Sequence, residues 1–183
     1  MAGRHTGDEH VRTTADAVIE LLNSRPHATP LLPDTLDDPD TVGVILRPFT
    51  TPGIVPTRSQ AELVRQLRSD LMAVVVAADA DAVAVGWSCF TEHTATVVLR
   101  QIVAAPGVVH LHQIDGDPVI GGIALAVADL IRTDTWSRIR VCANEQCNHV
   151  FFDTTRSRTQ RWHSYEICGN RHNAAAYRAR LSK

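Results

Sequence analysis

Cys142-Ala143-Asn144-Glu145-Gln146-Cys147 and, fifteen residues on, His163-Ser164-Tyr165-Glu166-Ile167-Cys168 decide how this chain is read. Each stretch is a pair of Cys or His ligands with four residues between them, and three of the chain's four cysteines fall within them. A tight turn can present two ligands from one pair, and the intervening loop carries the second pair over the same ion. Four Cys and His side chains close a tetrahedral coordination sphere, so the expected cofactor is one structural Zn2+ held by Cys142, Cys147, His163 and Cys168. A closed sphere leaves no position for substrate, so the metal is not expected to be catalytic. His149 and His172 are spare imidazoles nearby, but their spacing breaks the two-pair pattern. Cys89 stands apart beside Trp87 and Phe90 and reads as a small buried apolar residue.

Working outward, the segment from 138 to 183 carries nine Arg/Lys against three Asp/Glu, a charge of +6, while residues 1–137 sum to −8. An acidic body with a basic tail points to a polyanionic partner that meets only the tail. Arg156, Arg158 and Arg161 lie in the loop between the ligand pairs and could contact phosphates. After Cys168 the chain reads as a basic helix. Arg171 and Arg178, seven apart, share a face with Ala174 and Ala175, where small side chains allow close approach to a groove. Asn173 and Arg180 lie on neighbouring faces, and Asn and Arg are the side chains suited to adenine and guanine edges. Asn170 and Arg171 could instead brace the metal loop by hydrogen bonds to its backbone.

Cys168-Gly169-Asn170-Arg171, preceded by Arg161-Trp162-His163-Ser164 and by Phe151-Phe152-Asp153, resembles the CGNR zinc finger family. Those are bacterial proteins regarded as stress-induced transcription regulators, with an N-terminal part called the ABATE domain. Where the family usually has a fourth cysteine, this chain has His163, and both residue types ligate zinc. The resemblance over residues 138–183 implies a treble-clef-like finger that binds double-stranded DNA. The weaker N-terminal resemblance rests on Ala15-Asp16-Ala17-Val18-Ile19-Glu20-Leu21-Leu22-Asn23. It implies an ABATE-like domain over 12–137, acting in dimerisation or in sensing a small-molecule effector.

The body is expected to be mainly α with a small β-hairpin. Residues 1–11 are polar and expected to be disordered, with Thr13 or Thr14 capping a first helix that ends near Asn23. Residues 24–57, rich in Pro and Asp, read as irregular with one short strand at Val42–Leu46. Ser59 would cap a helix from Gln60 to about Ala77, and Asp79–Glu92 reads as another, although Val83, Val85 and Trp87 also alternate like a strand. Residues 94–114 alternate as a hairpin turned at Ala104-Ala105-Pro106-Gly107, with His110 and His112 on one face. Val119–Arg132 is apolar nearly all round and should be central to the core. In the finger, a knuckle at Cys142–Cys147 should precede a hairpin of Val150–Phe152 with Arg161–Trp162.

No apolar run opens the chain and none reaches 18 residues, so neither a signal peptide nor a membrane helix is expected, and thiolate ligands suit a cytoplasmic location. No nucleophile–base signature or phosphate loop appears, and an enzyme is not expected. The functions left standing are DNA-binding regulation, an RNA-binding zinc protein, and a protein-interaction module with purely structural zinc.

Overall fold

Val119, Ile120, Ile123, Val127 and Leu130 recur at helical spacing, and each is at most 1% exposed. They make the helix Pro118–Arg132 (α5) the axis around which the rest assembles. Asp117 caps it by accepting from the Val119 and Ile120 amides, and Pro118 occupies the first turn, where its missing N–H costs nothing. The computed structural model describes residues 3–51 and 56–181; of the side chains at 3–8, 176 and 179 nothing is said. Around α5 pack the helices Gly3–Asn23 (α1), Pro39–Leu46 (α2), Arg58–Val76 (α3) and Ala80–His93 (α4). Val18, Leu21 and Leu22 of α1 and Val64, Leu67 and Leu71 of α3 are fully buried in that core.

α3 starts with a reciprocal cap. Gln60 N–H donates to the Thr57 hydroxyl, and the Thr57 amide donates to the Gln60 side chain. The cap is therefore Thr57, not Ser59. The Gln60 amide also donates to Asp117 at 2.7 Å, tying the starts of α3 and α5 together. α4, expected as a helix over Asp79–Glu92, is capped by Asp79, whose side chain accepts from Ala82 N–H. It runs antiparallel to α3 at short range, since a Cβ on Gly86 would sit 2.6 Å from Val74 Cγ2.

Three expectations are corrected. α1 begins at Gly3, so most of the segment read as disordered is helical, while Met1 and Ala2 lie outside the described residues. Thr13 and Thr14 are not caps: their hydroxyls donate to the carbonyls of Glu9 and His10, one turn back. Val42–Leu46 is helical, within α2. Asp38 accepts from Asp40 N–H, Pro39 sets the first turn, and only one face, at Ile45 and Leu46, is buried. The Pro-rich segment is pinned rather than loose. Buried Arg68 on α3 donates to Ser24 Oγ at 2.7 Å and to Asp34, and Arg65 reaches Leu36 O and Asp37.

The strands Val98–Ala104 (β1) and Val108–Asp115 (β2) form the expected antiparallel hairpin, with Ile102 opposite His110 and Arg100 opposite His112. It projects with most of both faces exposed, including Val98, Ile102, Leu111 and Ile114. His110 and His112 join no cluster of ligating side chains among the described residues. A second hairpin pairs Ile139–Val141 (β3) with Val150–Phe152 (β4). Ile139 and Val150 belong to the main core, so the basic C-terminal segment is rooted in the body. A π-helical turn, Tyr165–Gly169, then runs into the last helix, Asn170–Leu181 (α6).

Candidate metal centre

The centre is assembled from three pieces of backbone. The β3–β4 ladder closes at Val141 and Val150. Between them the chain folds into a knuckle, in which Cys142 N–H donates to His149 O and Cys147 N–H to Asn144 O, each at 2.8 Å. The second piece is Arg161, whose carbonyl accepts from Ala143 N–H at 2.8 Å and lays the approach to His163 beside the knuckle. Arg161–Trp162 is not a partner strand for β4. That place belongs to Ile139–Val141, which lies before the first ligand. The third piece is the turn after Ser164, whose hydroxyl accepts from Ile167 N–H as an N-cap. Gly169 N–H bonds back five residues to Ser164 O, and this wider winding presents Cys168 inward.

The ligating atoms of Cys142, Cys147, His163 and Cys168 all lie within 4.8 Å of one another. His163 Nδ1 stands 3.4 Å from Cys147 Sγ and 3.7 Å from Cys168 Sγ. Tetrahedral ligands at the usual zinc bond lengths are separated by roughly 3.5–3.8 Å. The two His163 Nδ1 distances match the edges of a zinc tetrahedron, and the four side chains are gathered closely enough to close on one ion. Cys142 and Cys168 are buried. Burial, and then the neighbouring thiols, push Cys147 up to about 12, so a cation is what makes its thiolate accessible at neutral pH. Burial also lowers His163, which favours the neutral imidazole that ligation requires. His149 is pushed down to about 4 by burial and by His163, His27 and Arg25. Its ring lies tilted against His163 at 4.8 Å between centroids and adds no ligand. His172 likewise packs on Trp162.

Residues 138–181 match the CGNR zinc finger family. No curated protein matches the chain. The CGNR segment is a zinc-binding module, with one such site among the described residues, and its eponymous residues have visible local roles. Cys168 is the last ligand. Gly169 is buried where a Cβ would meet the Tyr165 ring at 2.7 Å. Asn170 donates from its side chain to Glu166 O, bracing the π turn as the sequence suggested it could. Asn144 donates to Cys168 Sγ at 3.4 Å, which stabilises a thiolate there.

The basic residues separate by environment. Arg158 is engaged by Asp134 and by the Ser137 hydroxyl, each at 2.6 Å, and anchors its loop to the body. Arg161 lies over the Trp162 ring at 4.9 Å and remains exposed, and Arg156 is exposed as well. On α6, Arg171, Asn173, Arg178 and Arg180 are all exposed, with Asn173 reaching the Tyr165 hydroxyl at 3.3 Å. Every α6 side chain that is described is exposed, so the helix stands away from the body.

Two residues outside the ligand pairs hold the centre in place. Asn23, the last residue of α1, donates to Val150 O and accepts from Val150 N–H, both at 2.8 Å, and so acts as an extra strand residue beside β4. Buried Asp153 accepts from the amides of Thr155 and Gln160 and from the Thr155 hydroxyl, shaping the loop between the ligand pairs. Asp-Thr-Thr after a short strand is an Asx-turn signal, so Asp153 could have been found in the sequence. Nothing local marks Asn23, whose partner lies 127 residues away.

Proposed function

We propose that this protein is a non-enzymatic, DNA-binding transcription regulator in which the CGNR finger reads duplex DNA. The observation that carries the reading is α6. It leaves the metal centre directly from Cys168, shows solvent its described side chains on all faces, and bears Arg171, Asn173, Arg178 and Arg180 around small alanines. A helix with so wide a solvent-exposed face, rich in Arg and Asn, is suited to a partner that uses it. Arg156 and Arg161, exposed between the ligand pairs, suit phosphate contacts, whereas Arg158 is occupied by Asp134. The N-terminal part, ABATE-like in this reading, dimerises or senses an effector in the cytoplasm. The exposed apolar hairpin β1–β2 supports a homodimer.

Exposed Tyr165 and Tyr177 favour a second reading, stacking on the bases of single-stranded RNA. Titrating the zinc form with duplex DNA, single-stranded DNA and RNA at rising salt separates the two. Duplex preference, with a log–log salt slope of roughly −0.9 per phosphate contacted, is the expected result. Preference for single strands transfers the assignment to RNA, and a flat salt response with all three rejects nucleic acid altogether.

A further inference from the structure

Seven of the seventeen exposed large apolar side chains among the described residues fall on the strands β1 and β2, Val103 being 66% and Ile102 45% exposed. Together the seven show solvent on the order of 500 Å² of apolar surface, close to the apolar share of the about 800 Å² that each partner buries in a standard interface. A two-stranded sheet standing by itself is marginal in water, and neither strand has a strand neighbour beyond the other among the described residues. α1, α5 and residues 48–51 line a cleft together with Val109, Leu111 and Gln113 of β2, whereas no β1 residue lines it. β1 is thus the outer strand. Its edge lacks the devices that usually blunt one. Neither strand contains Lys, Glu or Pro, and the register shift lies at the very start, between Val98 and Leu99.

The residue order of β1 fits a second copy of itself. Paired antiparallel about a two-fold axis at Gln101, the strand sets Leu99 opposite the partner's Val103 and Val98 opposite the partner's Ala104. Arg100, its one charge, meets the partner's Ile102 instead of its own twin and can lay its aliphatic stem there. At the centre Gln101 faces the partner's Gln101, and a primary amide both donates and accepts. Stacking two hairpins face to face fits less well. Arg100, His110 and His112 share the face turned away from the cleft and would meet their own copies. We propose that two copies of this chain join β1 to β1 in a continuous four-stranded antiparallel sheet, ordered β2–β1–β1–β2. The axis runs normal to the sheet, so both bodies lie on the face of Val109 and Leu111 and flank its middle from either side. The proposal deepens, and rests on, the homodimer in the function above.

Sedimentation of the full-length zinc protein, without DNA, tests this. The parent should be a dimer at micromolar concentration. Ile102→Lys puts a cation opposite the partner's Arg100 and should weaken association at least ten-fold. Ile102→Glu puts a carboxylate there and should leave association as tight as in the parent or tighter. Ile102 is exposed, and zinc content with circular dichroism confirms the fold of both variants. Cross-linking reads the register, with the parent as control for its own thiols. Gln101→Cys, roughly 5 Å from its twin between Cα atoms, should join two chains on mild oxidation, whereas Arg100→Cys, roughly 7–8 Å from its twin, should not. A parent that is monomeric at about 100 µM overturns both this proposal and the homodimer it rests on. A dimer indifferent to Ile102→Lys, weakened alike by Ile102→Lys and Ile102→Glu, or cross-linked no better by Gln101→Cys than by Arg100→Cys overturns the proposal and leaves the homodimer reading standing. Because no DNA is present, each outcome stands apart from the success or failure of DNA binding.

Discussion

Cys142 and Cys168 carry the metal as buried thiolates, and neither serine nor water replaces a thiolate as a soft ligand. A Cys142→Ser/Cys168→Ser variant should purify without zinc, whereas His163→Cys should retain one ion per chain; elemental analysis decides both. Asp153 makes a different prediction. Burial would raise its pKa, but the Thr155 hydroxyl, the Thr155 and Gln160 amides and Arg140 outweigh burial and hold the carboxyl below its ordinary value. A folded-state pKa below the unfolded one contributes stability that is fully present above the usual carboxylate pKa of about 3.9. That contribution is lost as the pH falls through the folded value. Asp153→Asn should therefore be less stable than the parent near neutrality, and urea melts of the two should converge below about pH 4. Acid release of zinc is common to both proteins and cancels in the difference.

At the scale of elements, α6 and α5 give contrasting tests. Arg178 and Arg180 lie late in a helix that is exposed throughout its described residues. Changing each to Ala should leave zinc content unchanged while weakening duplex binding by roughly 1–3 kcal/mol per base-reading residue, and by less for a phosphate contact. If the double variant binds like the parent, the contact surface is not α6. α5 is the reverse case: a Cβ on Gly122 would lie 1.8 Å from the Phe49 carbonyl oxygen. Gly122→Ala should destabilise the whole protein by roughly 1–3 kcal/mol through overpacking, read from denaturant midpoints. α5, α4, the long hairpin and the ligand set were legible in the sequence because each has a strong local signal, whether an apolar run, a capping Asp, β-branched alternation or paired ligands. α2 was not, because β-branched Val42, Val44 and Ile45 look like strand and only the Asp38-Pro39 start argues otherwise. β3 was not, because three residues are too few to show a period and its partner is separated from it by the knuckle. The contribution of Asn23 was invisible for the same kind of reason, since long-range pairing leaves no local trace.

For the molecule as a whole, the boundary between body and finger is not a boundary of packing. Ile139 and Val150 sit in the main core, and Arg12 lies over the Phe152 ring at 4.7 Å. Removing zinc should unfold the knuckle, the π turn and α6 but leave α1–α5 and the β3–β4 ladder standing, since metal binding and folding are coupled only where the ligands are. Hydrogen exchange with and without chelator reads this directly, as fast exchange confined to about residues 142–149 and 160–181. Asn23→Ala should have the complementary effect, loosening the seam by roughly 1–3 kcal/mol while zinc stays bound. No helix among the described residues is long and apolar enough to cross a membrane.

The three tryptophans are distributed so that these two events can be seen separately. Trp87 and Trp136 face each other at 5.1 Å across the junction of α4 with the start of the finger, whereas Trp162 packs between Tyr165 and His172, next to the ligand His163. The chain thus carries its own pair of optical gauges. With Trp87 and Trp136 replaced by Phe, emission reports coordination alone; with Trp162 replaced, the exciton couplet of the Trp87–Trp136 pair in the far-ultraviolet circular dichroism reports the junction alone. A chelator titration followed on both should move the first signal and leave the second at its starting value.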